Sequence, residues 1–124
     1  MIKGIEHTAI AAADITRLAA WYVETLGFTI NYSSENATFV KAPDGTMIEI
    51  IRAEGDRAGQ TLKSPGLRHL ALTVDNFETS YAALQAKGVA FLGEPQGSKG
   101  NKVVFFTDPE GNILHLLFRA TPLP

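Results

Sequence analysis

The segment Gly4-Ile5-Glu6-His7-Thr8-Ala9-Ile10 returns in outline as Gly66-Leu67-Arg68-His69-Leu70-Ala71-Leu72. Glycine, an aliphatic, a charge, histidine, then alanine and an aliphatic take matching places, and the two histidines stand 62 residues apart in a chain of 124. An offset of half the length marks an internally duplicated unit, and no other feature restricts the possible folds as much. What one half does with its histidine strand, the other half should do again.

A second pair of segments follows the same rule. Pro43-Asp44-Gly45-Thr46-Met47-Ile48-Glu49-Ile50-Ile51 is echoed by Pro109-Glu110-Gly111-Asn112-Ile113-Leu114-His115-Leu116-Leu117. Each is a Pro-acid-Gly turn leading into an apolar strand. Each strand is broken by one metal-ligand type of residue, Glu49 in the first half and His115 in the second. All three histidines of the chain therefore fall at repeat-related positions.

Between these landmarks the halves spell out the same order. In the first, Asp14 is a suitable N-cap, Ile15, Leu18, Tyr22 and Leu26 form one helical face, and Gly27 is placed to end the helix. Strands are expected over 28–32 and 37–41, then through Glu49, giving β-α-β-β-β. Residues 54–65 are polar, turn-rich and aperiodic, and read as a linker between a first module over 1–53 and a second over 66–124. In the second module Asp75 and Glu78 suggest a capping box, Phe77, Tyr81 and Leu84 an apolar stripe, and Gly88 a stop. Strands are expected over 89–92, 102–106 and 113–118. Gly97-Ser98-Lys99-Gly100 lacks the spacing and following helix of a phosphate loop. The expected architecture is α+β: two tandem βαβββ modules forming a curved mixed sheet, helices on its outer face, in one compact domain.

Strand alternation puts His7 with Ile5 and Ala9, Glu49 with Met47 and Ile51, His69 with Ala71, and His115 with Ile113 and Leu117. The opposite faces are apolar too, so both are expected to be buried. Polar groups buried without partners cost on the order of 1–3 kcal/mol each, so something must compensate them. A hydrogen-bonded core accounts for a lone histidine. Four ligand-type residues at repeat-equivalent positions point instead to a divalent transition metal, because imidazole nitrogen and carboxylate oxygen suit Zn, Ni, Fe, Mn or Co. Two strands from each half, related by a pseudo-two-fold, would bring them to one ion.

Composition narrows the alternatives. A net charge of −2 and pI near 5.9 offer no footprint for nucleic acid or an anionic membrane. No apolar run reaches a membrane span and no signal peptide is evident, so a cytoplasmic protein is expected. The absence of cysteine leaves N and O ligands only. Phe39, Phe91, Phe105 and Phe106 serve either the mouth of the curved sheet's ligand-bearing face or the core. Arg52, Arg57, Lys63, Lys99 and Lys102 flank loops, where they could receive a carboxylate or phosphate, although a solvated rim is the commoner use.

The duplicated βαβββ pattern, the two histidine strands, the Leu26-Gly27-Phe28 helix exit and the Asp108-Pro109-Glu110-Gly111-Asn112 turn resemble the vicinal oxygen chelate superfamily of glyoxalase I, bleomycin-resistance proteins, methylmalonyl-CoA epimerase and extradiol dioxygenases. The resemblance covers nearly the whole chain. By position it places metal ligands at His7, Glu49, His69 and His115, with Glu49 also the candidate base. It implies a homodimer acting on a small oxygen-chelating molecule, first as a glyoxalase- or epimerase-like isomerase or lyase. An extradiol-type dioxygenase and a non-catalytic binder of antibiotics or aromatics are the alternatives. His115 departs from the glutamate that those enzymes usually carry in the last strand, which removes one carboxylate and one candidate base.

Overall fold

Asp14 opens the first helix as its side chain allows: its backbone is extended and its carboxylate accepts the Arg17 N–H at 3.0 Å. The helix, α1 (Ile15–Leu26), follows strand β1 (His7–Ala12) and precedes β2 (Thr29–Ser33), β3 (Ala37–Lys41) and β4 (Met47–Arg52). Gly27 ends it in the left-handed region at φ 78°, where its N–H reaches Val23 O and the Phe28 N–H reaches Tyr22 O, both at 3.2 Å. The sheet runs β1-β4-β3-β2, with β1 and β4 parallel and the other pairs antiparallel. Ile15, Leu18, Ala19 and Tyr22 of α1 are buried, as are Val40, Ile48 and Ile50 of the sheet.

The second module repeats this plan with β5 (His69–Thr73), α2 (Phe77–Ala86), β6 (Ala90–Phe91), β7 (Lys102–Thr107) and β8 (Ile113–Phe118), in the order β5-β8-β7-β6. Its core holds Phe77, Leu84, Val104, Phe106, Leu114 and Leu116. The α+β class and the repeated βαβββ order are as expected; the eight strands form two mixed sheets of four. The computed structural model describes residues 1–57, 59 and 61–124, so Ala58 and Gln60 of the expected linker lie outside the described residues. The chain divides into two compact units, Met1–Ala58 and Gly59–Pro124. Among the described residues no helix is long and apolar enough to cross a membrane.

Two expectations are corrected. Helix α2 is capped by Asn76, not Asp75: Asn76 is extended and its side-chain oxygen accepts the Thr79 N–H at 3.0 Å. The helix starts one residue later than a box built on Asp75 and Glu78 requires. Nor are both sheet faces buried. Each module has a single helix and can cover one face, so Ile48, Ile50, Leu114 and Leu116 are buried while His7, Ala9 and Ala11 on β1, and His69, Ala71 and Thr73 on β5, are exposed.

The turn before β8 is held by Asp108, which is only 3% exposed. Its carboxylate accepts the Glu110 and Asn112 N–H groups at 2.9 and 3.0 Å and the Asn112 side-chain amide at 2.8 Å. Phe106, fully buried, lies two residues upstream. Phe106→Ala is expected to cost about 3–5 kcal/mol of stability, read as a lowered urea midpoint at unchanged slope.

Candidate metal centre

In the first module parallel pairing sets His7 beside Met47 and Ala9 beside Glu49. The side chains close that one-step diagonal, with His7 Nε2 3.6 Å from Glu49 Oε1. They are 35% and 24% exposed, open to solvent on one side. The other ring nitrogen of His7, Nδ1, lies 3.0 Å from Glu6 Oε1. A proton donated by Nδ1 to Glu6 leaves the Nε2 lone pair facing a carboxylate oxygen. Two acceptors so placed repel unless a cation, a proton or a metal, stands between them.

The second module repeats the arrangement in register. His69 pairs with Ile113 and Ala71 with His115, as His7 and Ala9 do with Met47 and Glu49. Phe39 stands opposite Glu49 and Phe105 opposite His115 on the neighbouring strands. Each phenyl ring meets its histidine edge-on with centroids 5.3 Å apart, at 81° for His7–Phe39 and 83° for His69–Phe105. Equal distances and near-equal angles show that the duplication extends to side-chain packing. His69 and His115 are themselves 4.6 Å apart, centroid to centroid.

His115 is the odd member. Both of its ring nitrogens are buried with no hydrogen-bond partner among the described residues. Burial holds its pKa below the ordinary histidine range, with the neighbouring His69 and Arg119 acting the same way. The ring is therefore neutral at pH 7 and keeps a free lone pair, the form in which imidazole binds a metal. Among the described residues no group of three or more His, Cys, Asp or Glu side chains is gathered to hold an ion; each module holds a pair.

Of the four phenylalanines left between two uses, Phe39 and Phe105 flank the histidines, whereas Phe91 packs against Tyr81 and Phe106. The contact between Glu6 and His7 is not foreseeable from the sequence: a strand running through both would put them on opposite faces, but β1 begins only at His7. The repeat counterpart of Glu6, Arg68, is used differently. Its guanidinium donates to the Thr61, Pro65 and Gly66 carbonyls at 3.2–3.3 Å and ties down the segment leading into β5.

Comparison with known proteins agrees with this architecture. Residues 4–116 match the Glyoxalase/Bleomycin resistance protein/Dioxygenase superfamily, and the chain belongs to that family. The Uncharacterized protein YwkD of Bacillus subtilis is 30% identical over 94% of this chain and 97% of its own. An Ethylmalonyl-CoA/methylmalonyl-CoA epimerase of Cereibacter sphaeroides is 29% identical, over 89% of this chain and 91% of its own. The crystal structure of a glyoxalase family protein from Enterococcus faecalis superposes with a TM-score of 0.80 at 29% identity, covering 94% of this chain and 98% of that one. The relatives span several chemistries, with a lactoylglutathione lyase and metallothiol transferases also among them.

Proposed function

We propose that His7, Glu49, His69 and His115 are the ligands of a divalent transition metal, and that the protein is an isomerase or lyase acting on a small substrate with neighbouring oxygens. The observation that carries this reading is the pairing of a histidine with a second ligand-type residue at the same register in both modules, one of the four having two buried, unpartnered nitrogens. The donor chemistry fits: His7 Nε2 and Glu49 Oε1, 3.6 Å apart, are the nitrogen and oxygen donor types that suit a divalent transition ion. Such an ion, held by these residues, would supply Lewis-acid polarisation of the substrate oxygens.

The residues of the chain do the rest. Glu6 fixes the ring of His7 through Nδ1 and directs Nε2 toward Glu49. Glu49 is the base that takes a proton from carbon, since the histidines spend their lone pairs on coordination. Phe39 gives the His7–Glu49 pair an apolar wall, as Phe105 does for His69 and His115 in the second module.

Metal uptake tests the reading. Chelator-treated protein offered Zn, Ni, Fe, Mn or Co in turn should bind at least one and gain about 2.7 kcal/mol of stability when free ion is a hundredfold above Kd, read as a raised unfolding midpoint. His7→Ala and His69→Ala should each lose most of that gain. Protein that takes up none of the five would refute it.

A further inference from the structure

The face of the second sheet that carries α2 also holds an open groove of about 630 Å³, bounded by one flank of the helix and by the segment joining β6 to β7. Phe77, Tyr81 and Gln85, spaced by four, line it from the helix; Gln96, Lys99 and Lys102 face them. Lys102 shares its side of β7 with the buried Val104 and Phe106, so the groove lies across the sheet from His69 and His115. Its volume is that of a small-molecule site.

The segment over the groove has a closed, specific geometry. Gln96 and Val103 exchange backbone hydrogen bonds of 2.8 Å, Ser98 O accepts the Asn101 N–H at 3.0 Å, and the Asn101 side-chain oxygen accepts the Ala120 N–H at 3.1 Å. At Gly97 the backbones approach so closely that a Cβ would sit 2.0 Å from the Asn101 carbonyl oxygen. Within this frame Lys99 is held at φ +56°, the one non-glycine residue with positive φ among the described residues. Glycine stands at positions 97 and 100, yet the left-handed position between them carries a long cationic side chain. Strain of this kind persists where the side chain it displays has a use.

The charges identify that use. The amine of Lys102 is engaged by the Glu78 carboxylate, whereas Lys99 has no ion-pair partner among the described residues. The groove thus offers one uncommitted cation, the amides of Gln85 and Gln96, and the ring of Tyr81 beside buried Phe77. We propose that this groove binds a small organic anion, a carboxylate or phosphate monoester on a planar apolar body, with Lys99 taking the anionic group and Tyr81 the body. The site is separate from the metal centre and stands independently of its function.

Phenyl phosphate, benzoate, inorganic phosphate and phenol, titrated into the full chain and followed through its backbone amide spectrum, test this assignment. Phenyl phosphate or benzoate should shift the amides of 96–102 and of the Phe77–Gln85 flank, with phosphate alone and phenol alone binding more weakly. The tighter of the first two gives the class of anion. Lys99→Gln should weaken binding about tenfold or more, as loss of a charge-assisted hydrogen bond does, while Lys41→Gln leaves it intact. Tyr81→Leu should weaken the aromatic probes and spare inorganic phosphate. Lys99→Gly should lose binding and yet raise the unfolding midpoint by relieving the positive φ. No shift with either aromatic anion, equal affinity in Lys99→Gln, or shifts centred on β5 and β8 would overturn the proposal.

Discussion

Glu49→Gln is expected to lower turnover by about 10²–10⁴-fold while metal and substrate binding largely survive. Glutamine keeps the shape of the side chain and can still offer a carbonyl oxygen to an ion, but it cannot accept a proton at neutral pH. Glu49 is the only carboxylate among the four proposed ligands, so no second acid in that set can take over. Hydroxyacetone, with adjacent carbonyl and hydroxyl oxygens, is a suitable probe: in D₂O the wild type should exchange its carbon-bound protons and the variant should not. Equal exchange in both would leave Glu49 a ligand and remove it as the base.

His115→Leu should act in opposite directions on stability and binding. In chelator-treated protein two buried, unpartnered nitrogens are replaced by apolar atoms of similar volume, a change expected to stabilise by about 1–2 kcal/mol. The unfolding midpoint should rise by roughly 3–8 °C for a chain of this size. The same variant should bind metal at least about tenfold more weakly, as loss of a ligand implies. His115→Glu should keep the metal and retain activity, since it exchanges one ligand type for another and adds a second carboxylate. A structural role for His115 predicts instead that His115→Leu leaves metal affinity unchanged.

The duplicated pattern makes much of this visible without coordinates. The caps at Asp14 and Gly27, the strand through Glu49 and the strand through His115 follow from local chemistry, and local chemistry is written residue by residue. The pairing of His7 with Glu49 and of His69 with His115 follows from the repeat once β1–β4 and β5–β8 are parallel neighbours. What cannot be read is what depends on how many layers cover a sheet. Apolar residues on both faces of β4 and β8 suggest burial of both, but one helix per module covers one. Glu6 is hidden because it precedes β1, where strand alternation does not yet hold. Lys99 is hidden because a positive φ on a lysine is imposed by the closed segment around it and not by its own preference.

The histidine ring spectrum tests most directly the proposal that His7, Glu49, His69 and His115 are metal ligands. The chain has three histidines, all of them proposed ligands, so their imidazole ¹H–¹⁵N signals report the site without background. Chelator-treated protein titrated with Zn²⁺ should show His7, His69 and His115 shifting together. A response confined to the histidines of one module would contradict the account.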